Sequence, residues 1–307
     1  MDILGKRYWY FLLSLALIIP GLAAMGVWGL PLAIDFTGGS LLEVQFGSGQ
    51  APPPAEVTAL YEQEFDITNT RVQTSGADVL IVRSPFIEEA TRAEIVRAME
   101  ARFGGPVTLK RFDSVGPTIG QEVAARAALA VGVAALAVVV YIYFAFRGLP
   151  HALRYGVCAI IAMIHDVAVV LSLGAIGGHF FGWQIDSLFL TATLTVVGFS
   201  VQDKIVVFDR IRENSRIYRR LPFEFLANHS IVQTLQRSIN TQLMTVQFLL
   251  LALALFGGVT LREFAITLVV GLLSGTYSSI FIAAPILVVW EKREWTRWFG
   301  RRAEAAA

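Results

Sequence analysis

Asp203 and Lys204 lie at the end of a long apolar stretch, Leu194-Thr-Val-Val-Gly-Phe-Ser-Val-Gln-Asp-Lys-Ile-Val-Val-Phe-Asp-Arg-Ile-Arg-Glu-Asn214. A carboxylate surrounded by hydrocarbon is costly unless it is protonated, paired or hydrated, so its presence points to function. Asp166, next to His165, sits midway along a second apolar stretch, and Arg237 opens a third, followed by Asn240, Thr241 and Gln242. The chemistry open to such groups is reversible protonation. Apolar surroundings favour the neutral acid and a nearby cation favours the carboxylate, so a shift of Arg237 relative to Asp203 would change proton affinity. The competing reading is static: interhelical pairs that orient a bundle, or charged heads that reach the interface. On this reading Lys204 is expected to extend its ammonium towards the cytoplasm. Asp209, Arg210, Arg212 and Glu213 are expected to form a solvated helix end.

Positioning these groups requires membrane helices. The chain has 307 residues, 55% hydrophobic and only 16% charged, with a mean hydropathy of +0.60. A soluble globule carries about 25% charged residues. Six stretches are long enough to cross a bilayer, at about 9–29, 119–146, 152–175, 187–208, 235–257 and 264–290. Lys6, Arg7, Arg147, Arg154, the five arginines between Arg210 and Arg220, and the tail from Lys292 place both termini on the cytoplasmic side. The first stretch follows a charged start as a signal peptide would, but its length favours a retained span. Thr191, Thr193 and Thr195, with Ser274, Ser278 and Ser279, offer hydrogen-bond partners for buried polar groups.

Residues 35–117 break the apolar pattern, with 12 acidic and 7 basic side chains. They fall between an outward and an inward span, which predicts a folded external domain. The pattern predicts strands over Ser40–Phe46, Thr68–Thr74, Val79–Ser84 and Val107–Ser114, and helices over Ala55–Phe65 and Glu88–Phe103. That order, strand–helix–strand–strand–helix–strand, is ferredoxin-like. Gly38 and Gly39, after Asp35, fit a tight turn at the membrane surface. The expected domains are 1–30, the N-terminus and first span; 31–118, the external α+β domain; 119–291, five further spans; and 292–307, a basic tail.

Several functions lack their residues. No Gly-X-Gly-Asp accompanies either membrane aspartate, as an aspartyl intramembrane protease would need. His151, His165, His179 and His229 show no metal-ligand spacing. No Gly-Lys-Ser/Thr loop exists for a nucleotide. A net charge of +1 suggests no nucleic-acid partner. Neither an enzyme activity nor a cofactor is expected, and Cys158 is the only cysteine.

The motifs themselves resemble the SecF family of the RND (resistance–nodulation–division) superfamily. They are Ile34-Asp-Phe-Thr-Gly-Gly-Ser40, His165-Asp166, Val197 to Asn214 with its Asp209-Arg-Ile-Arg-Glu-Asn214 run, Gln233-Thr-Leu-Gln-Arg-Ser-Ile-Asn240, and Phe256-Gly-Gly258. The resemblance covers nearly the whole chain. It implies a six-span, RND-type half in a bacterial inner membrane, paired with SecD and associated with the SecYEG translocon. It implies use of the proton-motive force to promote preprotein translocation, with Asp203 and Arg237 tied to proton passage. Lys204 departs from the family, which more often has a small polar residue there, and Gln202 stands where Asn or Asp is usual. Two other functions remain in view: a proton-driven exporter of lipids or small hydrophobic molecules, and a non-catalytic scaffold for SecD.

Overall fold

The computed structural model describes residues 2–147, 152–256 and 259–294. The basic tail beyond Glu294, Gly257-Gly258 and the link at 148–151 lie outside them. The chain divides into two compact units, one of Leu32–Ala130 with Gln184–Ser187, the other of the remaining residues.

The smaller unit is α/β. A short helix, α2 (Ile34–Thr37), follows α1 (Arg7–Trp28) and leads into β1 (Gly39–Phe46), α3 (Pro54–Phe65), β2 (Arg71–Ser75), β3 (Val79–Ser84), α4 (Glu89–Phe103) and β4 (Val107–Val115). The sheet is antiparallel, in the order β2-β3-β1-β4. Alternation decides its buried face: Leu42, Val44 and Phe46 on β1 and Leu80 and Val82 on β3 point one way. Val57, Leu60 and Tyr61 of α3 and Ile95 and Met99 of α4 cover that face. Pro54 starts α3, where its missing N–H costs nothing, and Asp66 in the left-handed region ends it. β2 begins three residues later than the sequence pattern suggests, because Asn69 adopts a positive φ just before it.

The two glycines after Thr37 have a geometric reason. Gly38 has φ of +73° and Gly39 of +128°. A Cβ on Gly38 would lie 2.8 Å from Cα of Pro117, and one on Gly120 would lie 2.5 Å from the Gly38 nitrogen. Backbone therefore meets backbone where α5 (Pro117–Phe146) begins. Gly38→Ala and Gly120→Ala should each lower stability by about 1–3 kcal/mol. A thermal midpoint for Gly120→Ala equal to that of the wild-type chain would refute this packing.

The larger unit is helical. Besides α1 and the end of α5 it holds α6 (Ala152–Phe181), α7 (Ser187–Ile217), α8 (Phe223–Phe256), α9 (Val259–Ser278), a π-helical turn at Ser279–Ala283 and α10 (Ala284–Glu291). Among the described residues, five helices are long and apolar enough to cross a membrane: Leu4–Trp28, Pro117–Ala145, Ala152–Phe181, Ser187–Ile217 and Leu261–Glu291. The stretch at 235–257 lies on α8. Large apolar side chains such as Trp9, Leu12, Leu136, Val140, Phe248 and Leu251 are exposed, as contact with hydrocarbon requires. Cys158, Ala159 and Ala162 of α6 pack on Val207, Phe208 and Ile211 of α7 and on Leu287 and Val288 of α10. Pro285 has no N–H to donate to the preceding turn, which accounts for the wider π turn before it.

At one end of this unit the N-terminal segment is bound to α8 and to the end of α10. Asn228 accepts from the backbone N–H groups of Ile3 (2.8 Å) and Leu4 (3.2 Å). Arg7 pairs with Glu224 (2.6 Å) and Glu294 (2.5 Å), the Tyr8 hydroxyl donates to Glu294 (2.7 Å), and Lys292 pairs with Glu224. The bond from Lys292, with the Arg7 bond, holds the Glu224 carboxyl below its ordinary value of 4.5. Burial pushes Glu294 up, but the Tyr8 and Arg7 contacts outweigh it and the net direction is down. A carboxylate lowered by folding stabilises the fold above its unfolded value and loses that contribution as pH falls through its folded value. The thermal midpoint should therefore drop by several degrees as pH falls below about 4.5. A Glu224→Gln, Glu294→Gln double variant should melt lower at neutral pH and show a flatter slope across that range. An unchanged slope in the double variant would show that other carboxylates carry the acid sensitivity.

Candidate functional site

Asp166 is fully buried on α6. Its neighbours come from residues four apart, which share a helix face. Ser200 and Lys204 face it from α7, and Ser274 and Ser278 from α9. Oδ1 accepts from Ser274 Oγ (2.8 Å) and lies 3.1 Å from His165 Nδ1. Oδ2 accepts from Ser200 Oγ (2.6 Å), Ser278 Oγ (2.7 Å) and Lys204 Nζ (2.9 Å). Lys204 also donates to Ser200 O (3.3 Å) and Ser200 Oγ. The hydroxyl of Ser200 thus accepts from the ammonium while donating to the carboxylate. Close helix approach makes this possible, since a Cβ on Gly275 of α9 would lie only 3.3 Å from Cα of Ser200.

Lys204 is 0% exposed, which overturns the expectation that it extends to the interface. The reason is electrostatic. Asp166 has no other lysine or arginine within ion-pair distance among the described residues, and an unpaired carboxylate at that depth would be expensive.

Asp203, the preceding residue, points to a different neighbourhood. It is 7% exposed, and its Oδ2 accepts from Thr276 Oγ1 (3.1 Å) and Gln242 Nε2 (3.4 Å). No ion pair joins it to Arg237 among the described residues. Arg237 is exposed and lines a groove of about 350 Å³ between α7 and α8, with Asp209, Arg210, Glu213, Gln233 and Thr234. The two halves of the proposed relay pair are therefore near the same helix seam but are not in contact.

The remaining motif residues are dispersed. Asp209 pairs with Arg212, and Arg210 pairs with Glu213 while donating to Gln233 (2.6 Å). Asn214, 2% exposed, donates to Ser230 (2.8 Å) and Gln233 (3.0 Å). This run fastens the end of α7 to the start of α8. Asp35 caps α7 at its other end: its carboxylate accepts from the Ser187 N–H (3.0 Å) and the Ser187 hydroxyl. Thr193 and Thr195 bond carbonyls of their own helix. Among the described residues no group of three or more His, Cys, Asp or Glu side chains could hold a metal ion.

Sequence reasoning missed three participants: Lys204 and Ser200 around Asp166, and Thr276 beside Asp203. Ser200 and Lys204 carry one usable signal, a hydroxyl and a cation four residues apart within an apolar helix.

Comparison with known proteins completes the description. The pattern of the family described as "Protein export membrane protein SecD/SecF, C-terminal" matches residues 95–293, and that of the "SecD/SecF GG Motif" matches residues 23–49. A protein translocase subunit SecF of Anaerolinea thermophila is 67% identical over 100% of this chain and 99% of its own. One from Thermobaculum terrenum is 45% identical, over 100% and 99%. The crystal structure of SecDF, a translocon-associated membrane protein from Thermus thermophilus, superposes with a TM-score of 0.81 at 30% identity. It covers 95% of this chain, which corresponds to 39% of that longer one.

Proposed function

This chain belongs to the SecD/SecF family of protein-export membrane proteins, and from that premise we propose that it is the subunit in which Asp203 takes up and releases the translocated proton. It would sit in the bacterial inner membrane with six spans, the sixth supplied by α8, and both termini in the cytoplasm. The α/β unit would then be a ferredoxin-like external domain over residues 31–118, with the five later spans at 119–291 and a basic tail at 292–307. SecD would supply the other half of the bundle, SecYEG the channel, and the emerging preprotein the load.

One observation carries the assignment of the proton site. Lys204 is committed to Asp166, so the buried cluster of two carboxylates and one ammonium has a charge of −1 when both acids are ionised. One proton neutralises it. Asp166 already holds an ammonium and three hydroxyls, whereas Asp203 has two neutral donors. Buried charge without a paired counter-ion is the costly kind, so the proton goes to Asp203. When Asp203 is ionised it attracts Arg237 towards the seam, and when it is neutral that attraction vanishes. The result is two arrangements of α7 and α8 that differ by one proton. A charge crossing ~100 mV supplies about 2.3 kcal/mol, enough for a few protons to bias a domain motion.

The test is proton conductance of the chain reconstituted with SecD, followed against pH, beside preprotein export in the same vesicles. Conductance lost with Asp203 while the complex assembles supports the relay. Full proton-dependent export without Asp203 would favour a scaffold.

A further inference from the structure

Gln242 donates one of its amide hydrogens to Asp203, but its own carbonyl oxygen, Oε1, is buried with no partner among the described residues. So is the hydroxyl of Ser238, one turn earlier. Both side chains lie well inside the protein, in residues 4% and 1% exposed. They belong to a longer stripe on α8: Ser230, Thr234, Ser238 and Gln242 recur every fourth residue, and all are buried. The stripe ends on Asp203 at one side and on Asn214, through Ser230, at the other. Thr234 also lines the groove that Arg237 borders.

The spacing is informative. Four helical residues rise about 6 Å, too far for one hydroxyl to bond the next. Two hydrogen bonds of about 2.8 Å laid end to end span nearly that distance. A single bridging water has the reach to link successive members of the stripe, and polar atoms buried without protein partners, as Ser238 Oγ and Gln242 Oε1 are, are where such waters sit.

We propose that Thr234, Ser238 and Gln242 line a one-file water path from the groove at Arg237 to Asp203, so that the proton exchanges with the cytoplasmic side between α7 and α8. The ligand is water and its protonated form. The step on this path is release: neutral Asp203 gives its proton to a water held near Gln242, leaving a carboxylate and a hydronium whose proton passes along the file to the cytoplasm. This inference rests on Asp203 as the proton site and adds the route and its direction.

Cys158 is the only cysteine and is buried, which makes a direct test simple. In a Cys158→Ala background, Ser238→Cys and Gln242→Cys are each placed in the full chain in inside-out vesicles. Silver ion, a thiol-reactive cation no wider than a water molecule, is added to the cytoplasmic face. Both thiols should react at least about tenfold faster than Ala159→Cys, a fully buried position of α6. Rates equal to that control, or reaction from the outer face only, would overturn the path. Two reporters guard against one of them failing to fold. Reactivity does not depend on whether Asp203 carries protons, so Asp203→Asn should leave it in place. A failure here removes the route alone, whereas a failure of conductance to depend on Asp203 removes the relay.

Discussion

Replacing Asp203 with asparagine should reduce the proton conductance of the chain reconstituted with SecD to that of protein-free vesicles. The argument is one of shape and charge. Asparagine has nearly the volume of aspartate and can still accept from Thr276 and Gln242 through its amide oxygen, so the packing of α7 against α8 and α9 survives. What disappears is the only cluster carboxylate without a paired cation. In the variant Lys204 balances Asp166, and no carboxylate without a paired cation is left in the cluster to take the proton. Proton-stimulated export should be lost with it, while the amount of assembled complex stays the same. Asp203→Glu keeps the acid but moves it by one methylene, and should retain part of the conductance with altered pH dependence. Conductance of Asp203→Asn equal to that of the wild type would sink the relay. Intact conductance without export would instead break the link between proton and load.

The second large effect is on stability. Lys204→Met removes the ammonium and leaves Asp166 buried among three hydroxyls and His165. Asp166→Asn leaves Lys204 buried with no carboxylate partner. Each should cost about 3–5 kcal/mol, because the surviving charge is stranded away from water. Removing both charges together strands neither. The double variant should therefore cost less than either single variant, so that the two losses fall far short of adding. Denaturant or thermal unfolding in one detergent, over the four proteins of the cycle, measures it. Losses that simply add would mean that the pair is not the stabilising unit described above. The double variant also asks whether the lysine serves the proton step, since it retains Asp203 and its partners.

The contrast between Asp203 and Lys204 shows where the sequence stops being informative. Consecutive residues on a helix point about 100° apart, so these two must face different neighbours. Which neighbours they face depends on how α6, α8 and α9 are arranged around α7, and nothing local to residue 203 or 204 encodes that. Depth is local, and it was readable: apolar windows locate α6, α7 and α9, and Ser274 and Ser278 stand out as polar groups available at that depth. Helix ends were harder. The apolar windows stop near 175 and 208, but α6 continues to Phe181 and α7 to Ile217. Hydropathy marks where hydrocarbon ends, whereas backbone hydrogen bonding lets a helix continue into polar surroundings. In the α/β unit the alternation of Leu42, Val44 and Phe46 was enough to identify β1 and its buried side. The short α2 was too brief to give a periodicity, and its Asp35 acts on a residue 152 positions away.

That distant contact has a mechanical meaning. With Asp35 holding Ser187, α7 is a rod pinned at its first residue, and 31 residues make it about 46 Å long. A pinned rod cannot slide freely along its axis; it swings. A tilt of ~4° about that pin would carry Asp203, about halfway along, by under ~2 Å and the far tip by ~3 Å. Motion that is barely visible beside the carboxylate would thus be amplified at the arginine-rich tip, so the tip is where a spectroscopic label would see each stroke best.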